Sequence, residues 1–70
     1  MEHKVVALFH WSNCCGWFRC ENPDAVASEL NSNLCRYDIE EGFGFKVVNA
    51  ELYLDYDETT KEQLLEYYDL

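Results

Sequence analysis

Fourteen carboxylates stand against five basic side chains in this 70-residue chain, and their spacing is the first feature that could do chemistry. In Glu51-Leu-Tyr-Leu-Asp55-Tyr-Asp57, acidic and apolar residues alternate. On a strand, successive outward side chains are about 6.6 Å apart, so Glu51, Asp55 and Asp57 would form a row of negative charge. If Cys35 to Glu40 pairs nearby as a strand, Asp38 and Glu40 would add a second row, and Glu58 and Glu62 would carry the surface onto a following helix. Such an array can bind a hard cation, but that needs converging oxygens and usually a Gly-containing loop. Asp55-x-Asp57 runs instead into Glu58-Thr59-Thr60, without the glycine or the closing glutamate. It can act as a general acid–base pair in a cleft, but no His, Ser or Cys stands at a recognisable offset. Or it can pair with an Arg/Lys-rich groove on another protein, which requires only density of charge. The third use fits best, with Asp38, Glu40, Glu41, Glu51, Asp55, Asp57 and Glu58 as the contact residues.

The second feature is Trp11-Ser-Asn-Cys-Cys-Gly-Trp-Phe-Arg-Cys20. His10, Cys14, Cys15, Cys20 and Cys35 could supply zinc ligands. The spacing is poor: no C-x-x-C exists, Cys15 and Cys20 are five apart, and Cys35 is distant. A nucleophilic or redox role lacks the C-x-x-C pair and a positioned base. Cys35 reads as a small buried hydrophobe. Trp11, Trp17 and Phe18 read as a satellite cluster closing the sheet. Trp17, after Gly16 and beside Arg19, is also the best candidate for an aromatic anchor, because Trp and Arg are enriched at interface hot spots.

Composition narrows the classes. Apolar residues make up 49% and aromatics 16%, too many for a disordered acidic tail. Seventy residues make one domain, residues 1–70. A net charge of −9 argues against direct nucleic-acid binding. The longest apolar run, Val5 to Phe9, is far short of a membrane span. With no leader-like N-terminus, the expectation is a cytoplasmic protein. The charge is also lopsided: residues 1–37 hold four acids and three bases, a net of −1, whereas residues 38–70 hold ten acids and two bases, a net of −8. Solubility needs less than this, and self-repulsion at −9 opposes folding. So small a core has little room for a substrate cavity, so no enzymatic activity and no cofactor is expected.

The elements that must position these residues follow from pattern. Lys4 to Trp11 reads as a central strand, with Val5, Ala7, Phe9 and Trp11 on one face and Val6, Leu8 and His10 on the other. Ser12 to Asn22 reads as an irregular loop. Asn22 as N-cap and Pro23 at the first position start a helix to about Asn33, with Val26, Ala27, Leu30 and Leu34 on one stripe. Cys35 to Glu40 alternates as a half-buried strand, with Cys35, Tyr37 and Ile39 inward, turning at Glu41-Gly42 into a hairpin. Phe43 to Asp57 is strand-like, but its phase slips, so a bulge or turn is expected around Asn49. Thr59 to about Tyr68 reads as a helix, capped as Thr59-x-x-Glu62 or Thr60-x-x-Gln63. The expected fold is a small α+β domain: an antiparallel sheet of three to four strands in the order strand-helix-strand-strand(-strand)-helix, both helices on one face.

In length, in a charge of −9, and in its acidic segments from Asp38 and Glu40 to Glu51, Asp55 and Asp57, the chain resembles the small acidic nucleic-acid-mimic inhibitors of phages and mobile elements, of the anti-CRISPR and anti-restriction kind. The resemblance implies a non-catalytic viral protein, monomer or homodimer, in the host cytoplasm. It would occupy the nucleic-acid-binding groove of a basic partner and inhibit it. The alternative is a small zinc- or cysteine-stabilised interaction domain docking through the Trp17 loop.

Overall fold

The computed structural model describes residues 4–53 and 58–70. Lys4–His10 forms β1, and its apolar residues on both faces put it at the centre of the sheet, as the pattern predicts. β2 (Asn13–Phe18) and β3 (Phe43–Asn49) flank it, both antiparallel, in the order β2-β1-β3. One face carries Val6 and Leu8 from β1, Phe18 and Phe45 from its neighbours, and Ala27, Leu30 and Leu64 from two helices. The other face carries Val5, Ala7, Phe9, Cys14, Trp17 and Ala50, with Val48 and Tyr53 packed against them. Val5, Val6 and Leu8 are fully buried. Each contributes about 1.5–3 kcal/mol of transfer free energy.

The helices are α1 (Pro23–Asn33), α2 (Arg36–Glu40) and α3 (Lys61–Tyr67). The Asn22 side chain accepts from the Ala25 N–H and starts α1. For α3 the second capping register is used: Thr60 Oγ1 accepts from Gln63 N–H, and Gln63 Oε1 accepts from Thr60 N–H. Leu30 of α1 and Leu64 of α3 enter the same cluster, so these two helices share one face of the sheet. The α+β class and the antiparallel sheet are therefore as expected, but three local assignments differ.

First, the expected loop from Ser12 is largely strand β2, joined to β1 by the two-residue turn Trp11-Ser12. The register pairs Leu8 with Gly16 and Phe9 with Cys14, which leaves Cys15 as the extra residue of a bulge. The bulge flips the alternation, so Cys14 and Trp17 share a face despite odd spacing, and a period-2 reading misses the strand. Gly16 lets α3 approach β2 closely: a Cβ there would lie 3.1 Å from Leu64 Cδ1, so the end of that side chain would have to shift.

Second, Arg36–Glu40 is a helix, not a strand, and no hairpin forms at Glu41-Gly42. An alternation only six residues long fits one helical turn equally well. Here Arg36 Nε donates to Glu40 Oε1 at 3.2 Å across that turn. Gly42, at φ 90°, ends the turn by donating to the Ile39 carbonyl. Cys35, Tyr37 and Ile39, expected inside, are exposed.

Third, the break near Asn49 is present, but the chain passes into a 3₁₀ turn (Ala50–Tyr53) and not a further strand. Asn49 Oδ1 accepts from Glu51 N–H and initiates it. Leu52, expected to face the core, is exposed. Leu54 to Asp57 lie outside the described residues. No described helix is long and apolar enough to cross a membrane.

Candidate functional site

The acidic candidates among the described residues do not form rows. Asp38, Glu40 and Glu41 sit on α2 and its C-terminal cap, at the start of β3. Glu51 sits in the 3₁₀ turn at the other end of β3, roughly 20 Å away along a seven-residue strand. Glu58 lies on the far edge of the sheet, bridged to Trp17 of β2. Asp55 and Asp57 lie outside the described residues. The expected 6.6 Å repeat is absent from the described part of this segment because residues 50–53 are helical in sense, so Glu51 and Tyr53 do not alternate with a buried Leu52. The described carboxylates are instead spread over α1, α2, the 3₁₀ turn, Glu58 and α3. No charged or polar residue among those described is buried.

Among the described residues, Glu58 and Glu40 are partly neutralised. Arg19 Nε lies 2.9 Å from Glu58 Oε2, and Arg36 holds Glu40 as described above. All four side chains are largely exposed, so water and salt screen both pairs.

Trp17 is not an exposed anchor. Only 3% of it is accessible, and its indole N–H donates to the Tyr53 carbonyl at 3.0 Å. The bulge turns its ring into the core, and the Arg19 guanidinium lies 5.6 Å from the ring centre. The exposed tryptophan is Trp11, at 67%. It was expected to continue the inward face of β1, but the strand ends at His10 and Trp11 occupies the turn at φ 58°. Its sequence signal, a bulky residue where a two-residue hairpin usually has glycine, becomes legible only once β2 is recognised.

The cysteines and His10 are dispersed. Cys14 packs in the cluster around Phe9 and Trp17, whereas Cys15 and Cys20 pack toward the helices. Cys35 is exposed at the head of α2, its thiol donating to Asp38 Oδ2 at 2.9 Å. His10 stacks on Phe43 with ring centres 4.5 Å apart. Neighbouring strand residues face opposite sides, so Cys14 and Cys15 cannot converge. Among the described residues no three of His, Cys, Asp and Glu come together as a metal site would need. All four thiols are free. Burial pushes the Cys14 thiol up from its ordinary value, which keeps it protonated and a poor nucleophile. The Tyr68 phenol is pushed up to about 12, first by burial and then by the Cys15 side chain hydrogen-bonded beside it.

Among the described residues, two surface grooves can be placed. One, of about 370 Å³, runs between the end of β2 and the start of α3, past the Arg19–Glu58 pair. The other, of about 610 Å³, is shallow and apolar and lies at the turn end of the sheet, lined by Phe9, Trp11, Ile39, Gly42, Phe43 and Lys46. The chain matches no family model, and no curated protein and no solved structure is significantly similar to it.

Proposed function

We propose that this chain is a non-catalytic acidic binding protein that occupies the basic groove of a partner protein, a groove that otherwise holds nucleic acid. The observation that carries the reading is the disposition of charge. A net of −9 is spread over a body of 36 × 23 × 20 Å, and every described carboxylate lies at the surface. Such a body presents negative potential in several directions, as a nucleic acid does to the channel around it. Opposite potentials speed encounter and suppress wrong partners. Inhibition would follow from occupancy, in the manner of the anti-CRISPR and anti-restriction mimics, acting in the cytoplasm where such enzymes work. This reading is preferred to the zinc- or cysteine-stabilised alternative, whose candidate ligands are dispersed and whose Trp17 is buried.

The experiment is capture from a lysate of the source cell at low and high salt, followed by competition with the captured protein's own DNA or RNA. The expected result is a nucleic-acid-binding protein that salt releases and from which this chain displaces the nucleic acid. The triple variant Asp38→Lys, Glu41→Lys, Glu51→Lys should lose that capture while keeping the fold, since all three positions are solvent-accessible. A salt-resistant partner, or undiminished capture by the triple variant, overturns the reading.

A further inference from the structure

Gly44 sits inside β3, and nothing in the fold calls for glycine there. Its φ lies outside the left-handed region, and a Cβ at this position would meet no described atom within 4 Å. The pairing of β1 with β3 runs through it without a bulge. A glycine in a strand weakens the strand, and where no bulge or bend needs it, it marks a close approach by something else. The register sets Gly44 opposite Phe9 and Lys46 opposite Ala7. Opposed residues share a face, so Gly44 and Lys46 lie on the face of Phe9 and Ala7. At Gly42, two residues earlier, the space is filled. The Trp11 N–H donates to the Gly42 carbonyl at 2.9 Å, and a Cβ on Gly42 would be 2.5 Å from the indole carbons. The space over Gly44 is thus a slot, with the Trp11 indole at one end, the Phe9 ring alongside and Lys46 at the other end. Positions 42 and 46 are about 13 Å apart along the chain, which leaves room for one flat ring system on the Gly44 backbone. Phe43 borders the groove from the opposite face, where it stacks on His10, and takes no part in the slot.

Charge selects the occupant. Lys46 is the charged residue of the lining, and Ser12 adds a hydroxyl. The Lys46 ammonium lies 5.3 Å from the centre of the Phe9 ring, so it is held against the slot wall. In a chain with 14 acids and five bases, it has no carboxylate within ion-pair distance among the described residues. Glu40 is engaged by Arg36, and neither Glu40 nor Glu41 lines the groove. The net charge of −9 repels an anion at long range, but that repulsion is screened over about 10 Å at 0.1 M salt, whereas contact with the ammonium is not. A volume of about 610 Å³, mostly apolar with one or two polar groups, matches the usual form of a small-molecule site. We infer that the slot over Gly44 binds a small aromatic carboxylate, its ring on the Gly44 backbone between Trp11 and Phe9 and its carboxylate on Lys46. This site is separate from the acidic surface and does not depend on the reading of that surface.

The test is a titration with 2-naphthoate, followed by amide and indole NMR, beside its neutral amide 2-naphthamide and its cationic analogue 2-naphthylmethylamine. The expected result is that naphthoate shifts Gly44, Lys46 and the Trp11 indole N–H, and binds about threefold or more tightly than naphthamide. Lys46→Met, at an exposed strand position, should bring naphthoate down to the level of naphthamide. Gly44→Val should abolish binding of both by filling the slot, while the thermal midpoint stays level or rises, since a β-branched residue suits an open strand position. Absence of naphthoate binding up to about 10 mM overturns the inference. So does equal or tighter binding of naphthamide or the amine, or undiminished binding by Gly44→Val. Shifts at Gly44 and Trp11 that grow with protein concentration alone and vanish in Gly44→Val would place a second copy in the slot, and this also overturns it.

Discussion

Tyr68 closes α3 with its ring tilted against Phe43 and edge-on to Tyr67, and the Cys15 thiol lies beside its hydroxyl. Burial disfavours the phenolate there, which is why its titration is pushed up to about 12 from an ordinary value of 10.0. The consequence for stability has a definite sign. Between about pH 10 and 12 the unfolded chain gives up this proton while the folded chain keeps it. The contribution is therefore fully present below pH 10 and lost as pH rises toward 12. Burial of the Cys14 thiol acts in the same direction at somewhat lower pH. Urea midpoints measured across this alkaline range should fall more steeply for the native chain than for Tyr68→Phe. Parallel curves would show that the phenol is as solvated folded as unfolded. The same residue scale decides the two tryptophans. Sequence alone makes Trp17 the better anchor because it follows a glycine and precedes an arginine. What reverses the choice is a single extra residue, Cys15, in the β2 bulge, which rotates the Trp17 ring inward.

At the scale of elements, both outer strands have part of their backbone occupied by side chain or loop. On the β3 edge, Asn31 of α1 offers its amide as a substitute strand: Phe45 N–H donates to Asn31 Oδ1 at 2.8 Å, and Asn31 Nδ2 donates to the Phe45 carbonyl at 2.9 Å. On the β2 edge, Thr59 N–H donates to the Trp17 carbonyl at 2.9 Å, with the Thr59 hydroxyl at 3.2 Å from the same oxygen. Such occupancy limits pairing with another chain. Asn31→Ala should leave two half-buried backbone groups of Phe45 without these partners and lower stability by about 1–3 kcal/mol in denaturant unfolding. It should also open that edge, read as concentration-dependent association in sedimentation. An unchanged midpoint would mean that water replaces the amide without loss. Asn31 reads in the sequence only as one of a helix-ending Asn-Ser-Asn cluster, since its partner lies fourteen residues away. That contrast describes what pattern can reach. Elements set by strong local rules, such as central β1 with two apolar faces and α1 with Asn22 and Pro23 at its start, are legible. So are the phase slip at Asn49 and the capping of α3. Segments whose state depends on a distant partner are not. Arg36–Glu40 alternates like a strand, but the segment closes into one helical turn held across by Arg36 and Glu40 and leaves Tyr37 and Ile39 in solvent. At Glu51 the expected strand gives way for a related reason: Asn49 redirects the backbone into a 3₁₀ turn over Ala50–Tyr53.

For the whole molecule the decisive quantity is the charge. Nine net negative charges within a body whose longest extent is 36 Å lie within a few screening lengths of one another, since that length is about 10 Å at 0.1 M salt. Their mutual repulsion opposes the compact state and is relieved when the chain unfolds and the charges separate. The described ion pairs are too exposed to offset it. Raising salt from about 10 mM to about 150 mM shortens the screening length from about 30 Å to about 8 Å and should raise the thermal midpoint. The same change should weaken association with a basic partner, because each acid–base contact across the interface is then screened. Stability and affinity thus move in opposite directions along one axis. Calorimetric melting and binding titrations on one salt series would show this crossing. A midpoint that falls with salt would mean that attraction between charges, through contacts such as Arg19–Glu58, outweighs repulsion in the folded chain. The charge excess would then need no partner to account for it. A midpoint that rises while affinity falls means that the fold tolerates a charge it would be more stable without, and the binding surface is what that charge serves.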